Sequence, residues 1–309
     1  MRIVFMGTPK AAVPSLERLL SDGHEICAVY TQPDRPSGRG NKITFSPIKE
    51  CALHQNIPVF QPTKIRTSEA LEEYRSHSAD VAVVVAYGRI LPDTFLTAFP
   101  KGAINVHFSL LPKYRGAAPV NWAIVNGEVE TGVTTMQMDV GLDTGDILLQ
   151  RATKIKVSEN AIDLMERLSA IGAELLSATL MDLGNLKPVK QDESAATFAP
   201  IMKREDGLID WQMSAGNIAN RVRGFQPFPA SFTFIDRAKL TLWQANLAET
   251  TSDAPSGTVL TANGDIFEVA CGDRSVLTVG EVQPEGKRRM SVRDFLNGAK
   301  PQIGTILGE

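Results

Sequence analysis

Long apolar runs, paired cysteines, excess basic charge and glycine-rich phosphate loops are all missing or scarce in this 309-residue chain, and each shortage removes a class of function. No stretch reaches the roughly 18–20 apolar residues that a membrane span needs. The three cysteines, Cys27, Cys51 and Cys271, are odd in number and far apart, with no CxxC pair. That usage points away from a disulfide framework or a zinc site and towards a reducing compartment. The opening residues, MRIVFMGTPK, run straight into a strand without an h-region or cleavage site, so a cytoplasmic chain is expected. A net charge of −3 excludes a wholly basic nucleic-acid binder but allows a local basic patch. The first turn, FMGTP (5–9), has only Gly7 where a dinucleotide loop needs G-x-G-x-x-G. The NAD reading is therefore weak. The turn serves helix packing, or backbone contact to a ligand near the carboxyl ends of the strands. Ser109 lacks the G-x-S-x-G elbow, which disfavours a covalent mechanism.

What is present is a βαβ rhythm. Apolar runs at 2–6, 24–31, 57–60, 80–88 and 102–107 read as strands. They are nearly continuous in hydrophobicity, as suits a parallel sheet covered on both faces. Helical patterns lie between them, one entered at Pro14 and left at Gly23. Two more strands, 131–139 and 145–155, and a long helix from Ala161 follow. The fold class expected is α/β: an open, mostly parallel sheet with helices on both faces over 1–187. Residues 188–205 read as a polar linker with no core of its own. Over 206–309, a short helix and about five closely spaced strands predict a small barrel of the OB type.

Three stretches carry candidate chemistry. The 34–49 segment, DRPSGRGNKITFSPIK, has a net charge of +3. Its Pro, Gly and Ser content predicts a long loop without regular structure, either solvated or a mobile arm that grips phosphates. The strand end INVH puts Asn105 and His107 on one face, since i and i+2 side chains align. His24, His54 and His77 lie among polar neighbours and are expected in solvent. The loop DVGLDTGD (139–146) supplies Asp139, Asp143 and Asp146 between glycines. If its strand runs parallel beside 102–107, a carboxylate can reach His107. An imidazole, a carboxylate and an amide donor form a general-acid/base and oxyanion-stabilising set. The spacing of the three Asp fits no known cation loop, so no metal is expected.

NVHFSLLPKYRGAAP followed by MDVGLDTGDILL resembles the signature of the folate-dependent formyltransferases. FMGTP, TQPDRPSGRG, VVAYGRILP and MKREDGLIDW extend the resemblance over essentially the whole chain, to members that act on charged initiator tRNA. The resemblance implies a Rossmann-like formyltransferase domain. It also implies transfer of the formyl group of 10-formyltetrahydrofolate to the methionyl amine, for translation initiation. Motif position assigns catalysis to Asn105, His107 and Asp143. It assigns folate contacts, largely through backbone groups, to Arg89, Ile90, Leu91, Asp139, Ser109, Leu110, Leu111 and Pro112, in a pocket between 86–91 and 137–143. It assigns tRNA contacts to Arg35, Arg39, Lys42, Lys203 and Arg204. A monomer with no membrane partner is expected.

The alternative acceptor is a sugar-nucleotide amine, for which the basic 34–49 loop would be missing. A non-catalytic RNA-binding protein is a further reading. It has no use for Asn105, His107 and Asp143 together, and 206–309 carries ten Lys/Arg against twelve Asp/Glu. Any RNA contact there is local, as at GKRR (286–289) with Arg293, unless those charges are simply solvated. Two positions depart from the family pattern. Phe108 stands where a small residue, commonly Gly, is usual, so its ring either packs away from the pocket or narrows it. Ile201 stands where the linker often begins a basic pattern.

Overall fold

The computed structural model describes residues 1–37, 42–299 and 301–308. Seven strands form the first sheet: β1 (Arg2–Gly7), β2 (Glu25–Tyr30), β3 (Val59–Phe60), β4 (Val81–Val85), β5 (Ala103–His107), β6 (Glu130–Gln137) and β7 (Ile147–Lys154). Their order is β7-β6-β5-β4-β1-β2-β3. The five strands from β5 to β3 pair in parallel, while β6 and β7 add an antiparallel edge. The chain reverses its direction of travel between β1 and β4, and open sheets bind ligands at the carboxyl ends beside such a point.

Helices cover both faces, as expected. They include α1 (Val13–Ser21), α2 (Pro47–His54), α3 (Ser68–Ser76), α4 (Asp93–Leu96), α5 (Pro119–Val125) and α6 (Ala161–Asp182). Local sequence starts them: Ser46 accepts from Lys49 N at 3.1 Å ahead of α2, and Thr67 accepts from Ala70 N at 3.2 Å ahead of α3. Val4, Met6, Ala82, Val84 and Ala103 point to one side and pack with Tyr74 of α3 and Phe95 of α4. Val106, Phe108 and Val133 face the other side, where a Cβ on Gly172 of α6 would sit 3.0–3.5 Å from them. Phe108 is thus a core residue that fills the space left by a glycine in the covering helix. Phe108→Gly should destabilise the protein by about 3 kcal/mol or more, the usual loss for deleting a buried ring. The folate KM should be unchanged. A stable variant with an altered folate KM would place the ring in the pocket instead.

The 34–49 segment corrects an expectation. Arg35–Ser37 and Lys42–Thr44 pair antiparallel as a short hairpin. A two-stranded ribbon is all edge, so Pro36 costs it no obligatory ladder bond. Lys49 belongs to α2. It is ion-paired with Asp34, whose carboxyl that hydrogen bond holds below the usual range. Arg39 lies outside the described residues.

The chain divides into two compact units, the first comprising Met1–Pro119, Glu130–Lys154 and Met165–Ala199. The second comprises Val120–Val129, Ile155–Leu164 and Pro200–Glu309. It contains α7 (Ala215–Gly224) and a six-stranded antiparallel, barrel-like sheet. Its core gathers Ile218, Leu242, Phe267, Leu277 and Phe295. Two short segments from earlier in the chain, Val120–Val129 and Ile155–Leu164, belong to it. Asn121 Nδ2 donates to Gly224 O at 2.7 Å, and a Cβ on Gly224 would come within 2.7 Å of Val125.

Candidate active site

β5 delivers Asn105 and His107 to its carboxyl end with 8% and 6% of their surface exposed. His107 Nε2 is 2.9 Å from Tyr114 O. A carbonyl can only accept, so Nε2 carries the proton. Nδ1 faces Asp143 Oδ2 at 3.7 Å, longer than a hydrogen bond but within ion-pairing range of a protonated ring. The same oxygen accepts from Gly116 N at 2.8 Å. The Asn105 amide makes no hydrogen bond to any described residue. The three residues picked out by motif therefore meet, with one buried amide left free for a ligand.

They meet by a route other than the one expected. β6 runs antiparallel to β5, with His107 opposite Thr134. The carboxylate arrives because the 139–146 loop is wound tightly. A Cβ on Gly145 would lie 1.8 Å from Gln137 O, and one on Gly141 would lie 1.8 Å from Thr144 Oγ1. Only glycine fits at either place. Asp139 Oδ1 accepts from Thr144 Oγ1 at 2.7 Å and from Gly141 N at 3.1 Å, so its carboxylate braces its own loop. Asp143 sits at φ +55°, a left-handed conformation that is strained for a residue with a side chain.

The turn after β5 is equally constrained. Ser109 is fully buried and donates to Lys113 O at 2.6 Å. Leu111 N donates to Thr134 Oγ1 at 3.1 Å, and Gln150 Nε2 donates to Leu111 O at 2.8 Å. Ser109 and Leu111 thus build the turn with buried side chains, which leaves backbone groups as what they can offer a ligand there. Leu110 and Pro112 are half-buried.

Arg89 donates to Gln32 Oε1, Pro62 O and Thr63 O at 3.0–3.1 Å, so its guanidinium holds loops together. Leu91 is in the core, whereas Ile90 is 66% exposed. A cleft of about 720 Å³ is lined by Leu96, Phe99, Met138, Asp139 and Val140 among others. It shares the 137–143 side of the expected folate pocket. Arg89 and Ile90 line a separate cleft of about 460 Å³ with residues 63–67.

Arg35 is exposed, and Lys42 opens the second strand of the hairpin. In the second unit, Lys203 and Arg204 are exposed and make no ion pair among the described residues. Two of the four cations near 286–293 are paired, Arg289 with Glu281 and Arg293 with Asp265. His54 is exposed as expected. His77 is not: it is half-buried, with Nε2 2.9 Å from Tyr30 OH and its ring against Phe60, and burial pushes its pKa down. His24 is half-buried against the chain's amino group at 3.1 Å. No group of three or more His, Cys, Asp or Glu among the described residues is arranged to hold a metal.

The sequence reading missed a polar frame around this site. Arg115, only 2% exposed, makes two 2.8 Å bonds to Glu193 and also donates to Gln191 Oε1. Phe198–Ala199 pairs with Arg115–Gly116, so part of the supposed linker is zipped onto the segment that follows the β5 turn. Nothing in a polar, proline-containing segment announces this.

An amide, an imidazole and a carboxylate gathered at a strand end have the donor and proton-transfer groups that acyl transfer uses. Family models agree: residues 1–180 match the formyl transferase model and 201–300 the formyl transferase C-terminal domain model. The chain belongs to the formyl transferase family. It is 51% identical to the methionyl-tRNA formyltransferase of Citrifermentans bemidjiense over all of this chain and 97% of that one. It is 49% identical to the methionyl-tRNA formyltransferase of Caldanaerobacter subterraneus over 99% of this chain and all of that one. Among solved structures, it shares its fold with an N-formyltransferase of Helicobacter canadensis in complex with folinic acid and dTDP-3-aminofucose. The TM-score there is 0.68 at 22% identity, over 91% of this chain and 98% of that one.

Proposed function

We infer that this protein transfers the formyl group of 10-formyltetrahydrofolate to the amino group of methionyl initiator tRNA, giving N-formylmethionyl-tRNA for translation initiation. The observation that carries the chemistry is the convergence of the free Asn105 amide, His107 and Asp143 at one strand end. The acceptor rests on full-length relatives at about 50% identity that are methionyl-tRNA formyltransferases.

The amine nitrogen attacks the formyl carbon and forms a C–N bond, leaving a tetrahedral oxyanion. The Asn105 NH₂ donates to that oxygen, and His107 donates from Nδ1, with the Asp143 carboxylate beside the ring. Collapse breaks the bond from the formyl carbon to N10. The proton lost by the attacking amine passes to N10 through Asp143, directly or by a water. The donor's ring system occupies the cleft beside the 137–140 loop, with apolar Leu96, Met138 and Val140 against it. No metal is needed in this scheme. The exposed cations Arg35, Lys203 and Arg204 contact tRNA phosphates, and the enzyme acts as a cytoplasmic monomer.

A labelled formyl group on the donor should be recovered as N-formylmethionine after the product tRNA is deacylated. Recovery of the label only as free formate would refute transfer. Binding to tRNA should weaken steeply as salt rises, because each phosphate contact releases counterions. A salt-independent affinity would remove the phosphate contacts from the account.

A further inference from the structure

We propose that Gln191 is a positioning residue for catalysis: its amide clamps the 139–146 loop so that Asp143 stays left-handed and aimed at His107. The proposal rests on the formyl-transfer reading for its rate predictions, but its geometry stands independently. Gln191 Nε2 donates to Asp143 O at 2.8 Å and to Gly145 O at 2.7 Å. These two carbonyls flank the Asp143–Gly145 segment, where the backbone is strained at one end and has no room for a Cβ at the other. A strained residue persists only where its surroundings over-determine it. Gly116 N fixes the Asp143 carboxylate, but among the described residues Gln191 is the side chain that holds its carbonyl.

Gln191 is itself locked. Its Oε1 accepts from Arg115 Nε at 3.0 Å and Nη2 at 2.8 Å, which settles the amide orientation because a guanidinium only donates. Glu193 holds the other edge of Arg115 with two bonds at 2.8 Å, and that carboxylate keeps the guanidinium charged. Arg115 N and Tyr114 N in turn bond to Thr197 at 2.9 Å. Tyr114 supplies the carbonyl that orients His107. One segment, 191–199, thus braces both partners of the imidazole–carboxylate pair. Gln191 touches neither reacting group. It acts through Asp143.

The test is Gln191→Met, which keeps the length of the side chain and removes its polar atoms. The turnover number should fall about tenfold, the rate equivalent of the backbone strain it offsets, with KM for both substrates within about twofold. In an Asp143→Ala background the same change should alter turnover by less than about twofold, since the residue acts through that carboxylate. Amide hydrogen exchange should rise across 139–146 and stay constant in 103–107. A tenfold loss in both backgrounds, full activity in the single variant, or unchanged exchange in the loop would overturn the proposal. Faster loop exchange in a chain whose parent forms no formylated product would support the clamp while refuting the formyl-transfer reading.

Discussion

Asn105→Ala, His107→Ala and Asp143→Ala are each expected to lower turnover by at least about 10² in a protein that still folds. The size follows from the loss of one oxyanion donor or one general acid/base. The three losses differ in cause. Asn105 contributes a donor that is uncommitted in the free protein, so its removal breaks no hydrogen bond to a described residue and should spare folding. His107 bonds to Tyr114 O, so its alanine variant loses that hydrogen bond as well as the imidazole. Asp143 also accepts from Gly116 N, so its alanine variant loses a loop tether as well as a charge. Asp143→Asn separates these roles: the amide oxygen can still accept from Gly116 N, but the negative charge beside Nδ1 is gone. Single-turnover formyl transfer measures all four. Near-parental transfer by His107→Ala would remove the imidazole from the mechanism.

Arg39→Ala is expected to reduce kcat/KM for charged initiator tRNA by roughly ten- to a hundredfold, the equivalent of a charge-assisted hydrogen bond. Arg39→Lys should recover only part, because an ammonium cannot make the bidentate or stacked contacts of a guanidinium. The folate KM should hardly move. Arg39 falls in the basic 34–49 sequence that the resemblance assigns to tRNA contact. If Arg39→Ala formylates tRNA as well as the parent does, the hairpin is a surface insertion and the tRNA-gripping role is lost.

The α/β layer and the barrel-like sheet could be read in the sequence because their signals are local. Continuous β-branched runs mark strands buried on both faces, and Ser46, Thr67 and Pro14 mark helix starts. Asn105 and His107 could be paired because a strand has a period of two. Other features depend on distant residues. The antiparallel direction of β6 against β5 is a tertiary choice, and both directions suit an apolar strand of that length. The paired strands at 35–37 and 42–44 looked irregular because Pro36, Gly38 and Gly40 fall close together, yet Ile43 and Thr44 suit a strand and an edge tolerates Pro36. Gln191 was invisible for a different reason. Its role comes from three partners at 115, 143 and 145, and no periodicity links a polar residue to any of them. Phe108 was ambiguous until Gly172 was placed against it.

Acceptor competition tests the central claim most directly. The purified protein is given 10-formyltetrahydrofolate with charged initiator tRNA, charged elongator tRNA and a sugar-nucleotide amine together, and the formylated products are separated and counted. The account predicts that nearly all of the formyl group is found on the initiator tRNA's methionine. Preferential formylation of the sugar nucleotide would contradict it.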